Sequence, residues 1–166
     1  MIYKHKEYMP VIAKSAKIFP QAVVCGDVTI KENVNIWFNA TVRGDMAPVT
    51  IGKNTNIQDN AVIHTNTGLP TIIGESVTIG HGAIIHAATI NDYALIGMGS
   101  IILDGAVVEK YAMVAAGCVV PPYKIVPEKM LAVGNPMQLV RNLTAEEIEN
   151  NLKNVEHYLR LMREYE

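Results

Sequence analysis

The sequence predicts an all-β fold: a parallel β-helix of hexapeptide repeats with one C-terminal α-helix, residues 1–166 forming a single domain. Three observations carry this: a β-branched excess, a six-residue period within it, and a change of pattern after Gly134-Asn135-Pro136. The 166 residues include 19 Ile and 18 Val against only 9 Leu, whereas ordinary domains use Leu most among apolar residues. β-Branched side chains at that frequency belong to strands.

The period is found by stepping along the chain. Ile12, Ile18, Val24, Ile30, Ile36 and Val42 follow at intervals of six, then Ile51, Ile57 and Ile63 after a three-residue insertion. A four-residue insertion at Thr67–Pro70 leads to Ile73, Ile79 and Ile85, and one five-residue step to Ile90, Ile96, Ile102, Val108, Val114, Val120 and Val126. All nineteen positions are Ile or Val, and the fourth residue after each is usually small, as at Ala22, Ala40, Ala61, Ala83 and Ala106. One β-branched and one small inward residue per six is the pattern of a parallel β-helix. Three hexapeptides make one triangular coil, so 12–126 form about six coils stacked at about 4.8 Å. The β-helix as a whole is expected over 12–133.

Beyond Gly134-Asn135-Pro136, Thr144-x-x-Glu147 reads as a capping box. Ile148, Leu152, Val155, Leu159 and Met162 then form one apolar stripe at helical spacing. This predicts a helix over 144–164, packed on a flat face of the prism, its own or a neighbour's. The formal net charge of −2 argues against nucleic-acid binding, because no basic excess exists to neutralise phosphates. Two cysteines, Cys25 and Cys118, make no disulfide framework. The opening residues lack the apolar run of a signal peptide, and no stretch has the length of a membrane span. A cytoplasmic protein that binds neither membrane nor nucleic acid is expected.

The repeat gives each histidine an address. His64 follows Ile63 and His86 follows Ile85, three hexapeptides on, so both occupy one corner on adjacent coils. His81 is the second residue after Ile79 and lies on the neighbouring face. Two imidazoles stacked this way can share a metal, and a three-fold assembly would bring in His81 of a second subunit. The expected site is three histidines at a homotrimer interface with a fourth position open to water, the pattern of a catalytic zinc centre. Three imidazoles would also take Fe2+ or Co2+. In the same columns, Arg43 lies below His64 and Asp59 below His81, placing Arg43 and Asp59 to pair across the interface with Asp45 and Gln58 nearby. Met98 above His81 and Leu103 above His86 predict a site that is apolar on one side.

At these residues the sequence resembles the γ-class carbonic anhydrase-like family, trimers of left-handed β-helices in the hexapeptide-repeat superfamily. The resemblance rests on Val42-Arg43-Gly44-Asp45, Asn56-Ile57-Gln58-Asp59, Val62-Ile63-His64, Ile79-Gly80-His81-Gly82-Ala83-Ile84-Ile85-His86, Ile96-Gly97-Met98-Gly99 and Gly134-Asn135-Pro136. It implies the left hand of the helix, His64, His81 and His86 as ligands of Zn2+, and Arg43, Asp45, Gln58 and Asp59 as catalytic residues around them. The implied reaction is reversible hydration of carbon dioxide to bicarbonate by a metal-held hydroxide, which Gln58 would orient. The family's proton-shuttling glutamate has no counterpart: Thr65-Asn66-Thr67-Gly68-Leu69-Pro70 has no carboxylate, and Met46 stands where the prototype has a second glutamate. Tyr158 or Asn154 on the C-terminal helix could reach the pocket instead. Two other readings use the same prism: an acyl-CoA thioesterase or acyltransferase, and a non-catalytic trimer stapled by metal.

Overall fold

Most hexapeptides form a strand of two or three residues and then turn a corner, with one β-branched and one small residue turned inward. In a computed structural model, which describes residues 1–165, these strands stack in parallel on three faces; Glu166 of the expected single domain lies outside the described residues. The first face stacks Ile18, Ile36, Ile57, Ile79, Ile96, Val114 and Ala132 in register. The second stacks Val24, Val42, Ile63, Ile85, Ile102 and Val120. The third stacks Ile12, Ile30, Ile51, Ile73, Ile90, Val108 and Val126.

The left-handed coil therefore has about seven turns rather than about six. The added rung is Met130–Val133, whose inward residue is Ala132. An alanine there carries no β-branched signal, so a count of Ile and Val stops one rung early. The strand Ile2–Tyr3, before the repeat begins, pairs with Val24–Cys25 and covers the first edge. At the other end the chain turns through Asn135–Pro136, and Gln138–Asn142 runs back antiparallel on Met130–Val133.

The core is a stack of apolar columns: Ile36, Ile57, Ile79 and Ile96 are all fully buried, with Ala61, Ala83 and Ala94 filling the corners. The corners demand left-handed backbone, which Asn33, Asn39, Asn54 and Asn60 supply at φ near 60°. Gly26 and Gly44 mark a close approach of two coils, since a Cβ on Gly44 would lie 2.4 Å from the Asp27 carbonyl oxygen. That closeness lets Val23–Ile30 and Thr41–Ile51 run round a corner without a break.

The helix α1 (Ala145–Glu164) starts at a complete capping box: Thr144 Oγ1 accepts from Glu147 N–H, and the Glu147 carboxylate accepts from Thr144 N–H. It lies on the first face of its own prism, where Tyr158, Leu159 and Met162 meet Phe19 and Trp37. Phe19 and Trp37 occupy the outward position after Ile18 and Ile36, and their rings stack at 4.2 Å. Among the described residues no helix is long and apolar enough to cross a membrane.

A bidentate pair with Arg141, together with the Thr144 N–H, pushes Glu147 from its ordinary 4.5 down to about 2. A carboxylate whose folded-state value is depressed stabilises the fold fully above its unfolded value, and that contribution fades as pH falls through the folded one. Helix docking should weaken between about pH 4.5 and 2. Circular dichroism melts of wild type and Glu147→Gln at pH 6 and near pH 2.5 check this. The gap between the two proteins at pH 6 should close at the lower pH.

Candidate metal centre

The parallel ladder puts His86 directly over His64, their Cα atoms paired across adjacent rungs. His64 Nδ1 and His86 Nε2 face each other at 3.2 Å. The outward nitrogens are both taken: His64 Nε2 lies 2.9 Å from Asp45 Oδ1, and His86 Nδ1 lies 2.5 Å from Asp104 Oδ1. An ionised carboxylate only accepts hydrogen bonds, so both ring protons sit on the outward nitrogens. With both rings neutral, two lone pairs then face one another, an arrangement that a metal cation or a shared proton between them relieves. A tetrahedral zinc with bonds of about 2.0–2.1 Å would hold two ligand nitrogens about 3.3 Å apart. The donors present therefore fit a zinc-like ion.

Both carboxylates are held in the ionised form. Burial of Asp45 works against its charge, but the hydrogen bond from His64 and the adjacent Arg43 guanidinium outweigh it and keep the carboxyl below its usual value. Asp104 is lowered by hydrogen bonds from Asn66 and then His86.

His81 stands on the corner after the first face, one coil above Asp59. Its Nδ1 lies 2.9 Å from Asp59 Oδ2, so the free nitrogen is Nε2, 3.4 Å from the Tyr158 hydroxyl. Its main-chain N–H donates to Gln58 Oε1 at 3.2 Å. Gln58 is buried and its amide is oriented by Asn56 Oδ1 at 3.0 Å, while Asn56 donates in turn to Thr78 Oγ1 at 2.9 Å. Asn154 of α1 reaches the same Thr78 hydroxyl at 3.3 Å. Burial pushes the Tyr158 phenol up, with Asp59 adding to the effect, so its hydroxyl keeps its proton.

Beside His81 opens a cavity of about 330 Å³, lined by Leu95, Met98 and Met113 with Gln58, Asn154 and Tyr158 at its polar side. Gly80 and Gly97 keep its floor low. Among the described residues of one chain, no three histidine, cysteine or acidic side chains converge to hold a metal. His64 and His86 come together; His81 opens on another face.

The sequence-derived register is right for His64 over His86 and for Asp59 under His81. Within one chain Arg43 pairs with Asp45, and Asp59 is engaged by His81. The side of the site expected to be apolar, because Leu103 stands above His86, also carries the carboxylate of Asp104. Asp104 is the second residue after Ile102, one step round the corner from the histidine column. The signal was present in the register, but reading columns straight up misses a side chain that leans in from the next position. The Asn56–Thr78 ladder under α1 was legible too, as polar residues standing just before inward isoleucines on successive rungs.

Fold and site together define a left-handed hexapeptide-repeat protein with a histidine–carboxylate centre on its surface. A family of bacterial transferase hexapeptides (six repeats) matches residues 9–44. The chain is 46% identical over 165 residues to a carbonic anhydrase of Geobacillus kaustophilus, covering 99% of this chain and 87% of that protein. It is 43% identical over 158 residues to γ carbonic anhydrase 2, mitochondrial, of Arabidopsis thaliana, covering 92% of this chain. The chain spans only 57% of that plant protein's length, and 53% of the plant's γ carbonic anhydrase 1. A crystal structure of a Bacillus cereus protein, described as a candidate acetyltransferase, superposes with a TM-score of 0.97 at 41% identity, covering 99% of this chain and 95% of that one. The chain belongs to the γ-class carbonic anhydrase-like family.

Truncating Gln58 to Ala would leave the buried Asn56 carboxamide oxygen without a partner and release the His81 main-chain N–H. Unsatisfied buried groups cost about 1–3 kcal/mol. Urea unfolding of Gln58→Ala should show a loss in that range with an unchanged slope.

Proposed function

We propose that the chain assembles as a homotrimer in which His64 and His86 of one subunit, with His81 of the partner subunit, hold one zinc ion, and that this centre reversibly hydrates carbon dioxide. The observation that carries the reading is the facing pair of ring nitrogens at 3.2 Å with carboxylates on their outer sides. The need for a second subunit is supported by the lack of a third converging ligand among the described residues of one chain. It is supported too by exposed Val62 and Ile84, which flank the histidine column and would be covered by a neighbour. Zinc is the leading ion; three neutral imidazoles also accept Fe2+ or Co2+.

When bound, such an ion supplies Lewis-acid activation of water near neutral pH. The chain's own residues do the rest. Asp45, Asp59 and Asp104 keep the ring protons on the outward nitrogens. Arg43 holds Asp45 in place, and Gln58 anchors the backbone at His81. The cavity lined by Leu95, Met98 and Met113 suits an uncharged, poorly hydrated substrate such as carbon dioxide. Water and carbon dioxide give bicarbonate and one proton, and the Tyr158 hydroxyl and Asn154 amide are the polar groups that α1 contributes to the cavity.

A second reading is favoured by the size of that cavity, which exceeds what carbon dioxide needs, and by the description of the Bacillus cereus relative. An acyl-CoA thioesterase or acyltransferase would lay its acyl chain against the same apolar wall.

Metal analysis of the purified trimer, stopped-flow carbon dioxide hydration and a thiol-release assay on acyl-CoA separate the two. His81→Ala should keep its circular dichroism spectrum, lose metal, and fall at least about 100-fold in hydration, because a ligand matters more than the outer partners, whose loss costs about 10–100-fold. Hydration at the wild-type rate in that variant would refute the proposal. Saturable acyl-CoA turnover with negligible hydration by the wild type would assign the second reading.

A further inference from the structure

Two of the three carboxylates that grip the histidines, Asp45 and Asp59, belong to the residue set that the family resemblance implies. The third, Asp104, does not, and neither does the residue that holds it. We propose that Asp104, clamped by Asn66, is a positioning pair that dictates which ring nitrogen of His86 is free to bind the metal. The proposal rests on the metal reading above for its consequence, though not for its geometry.

Neutral imidazole has two tautomers, and the hydrogen bond made by one nitrogen selects between them. In His86 the nitrogen facing His64 is Nε2. Only the tautomer with its proton on Nδ1 leaves Nε2 with a lone pair. Asp104 Oδ1, 2.5 Å from Nδ1, enforces that tautomer because a carboxylate has no proton to donate.

Asp104 alone could not hold this position firmly. It sits on a partly exposed corner, one coil above Ala87, whose side chain ends at Cβ and offers no polar contact. Its second oxygen, Oδ2, accepts from Asn66 Nδ2 at 2.7 Å. The orientation of the Asn66 amide is itself fixed, because Oδ1 accepts from the Thr67 N–H at 2.8 Å. The NH2 end is therefore the end turned toward Asp104. The backbone of Asn66 is pinned by reciprocal hydrogen bonds with Leu69, at 3.2 and 2.9 Å. The short loop that follows ligand His64 thus carries the brace for ligand His86. This gives a role to a loop that lacks any carboxylate.

Two variants and two readouts test the pair. Asp104→Asn keeps the shape but can offer an NH2 group to Nδ1, which moves the ring proton to Nε2. Zinc affinity of the trimer, measured by competition with a chromophoric chelator, should fall about 10–100-fold. Asn66→Ala should fall in the same direction by a few-fold. Two-bond 1H–15N correlation spectra of histidine-labelled, metal-free protein should show His86 protonated on Nδ1 in the wild type and on Nε2 in Asp104→Asn. Thermal midpoints of the metal-free proteins should stay close together, which a merely structural role would not allow. Wild-type zinc affinity in Asp104→Asn, or a His86 proton that stays on Nδ1, overturns the proposal. If the wild type binds no zinc, the metal reading fails, while the tautomer spectra still decide the role of Asp104. If Asp104→Asn does not fold, the zinc affinity of Asn66→Ala decides, and a wild-type value there overturns the pair.

Discussion

Every feature of this molecule depends on one constraint: an inward β-branched side chain at every sixth residue must lie over its counterpart one coil away. Parallel backbone pairing spaces the coils at about 4.8 Å, so a register slip of one residue would turn the Ile and Val columns outward. The insertions after Val42 and Ile63 are tolerated because each adds residues at a corner and returns the next isoleucine to its column. The register is as consequential for the polar residues as for the core. It stacks His86 on His64 and His81 on Asp59 without any direct attraction between them being needed.

The helix converts one face of this prism into a buried interface. Apolar contacts with Phe19 and Trp37 hold α1 down at one end. Toward the site the covered surface is polar, and the Asn56, Thr78 and Gln58 side chains satisfy one another; among the described residues no buried side-chain nitrogen or oxygen is left without a partner. This ladder ends at the His81 main-chain N–H. Packing of the helix is therefore coupled to the placement of His81, and Tyr158 and Asn154 reach the cavity from the same helix.

His64, His81 and His86 share one device. Each has a carboxylate on its outer nitrogen, which fixes a tautomer and aims the other nitrogen's lone pair. Asp45 and Asp104 aim two of them at each other, an electrostatically costly arrangement in the absence of a cation or proton. His81 is aimed away from that pair, toward the Tyr158 hydroxyl at the cavity. In the proposed homotrimer the pair and the His81 that joins it would come from different copies of the chain.

By itself the sequence determined the coil, its rungs from Ile12 to Val126, the capped helix after Thr144, and the adjacency of His64 to His86. These follow from periodicity, and a strictly repeating backbone makes distance in sequence a measure of position in space. Tertiary structure alone decided the rest. The seventh turn closes on Ala132, which is buried like its Ile and Val counterparts but carries no β-branched mark. Asp104 reaches His86 by leaning round a corner, and Arg43 turns to Asp45 within its own chain. Those outcomes depend on side-chain rotamers and on hydrogen-bond competition at the corners, where the repeat sets the position of the backbone but not the direction in which a polar side chain points.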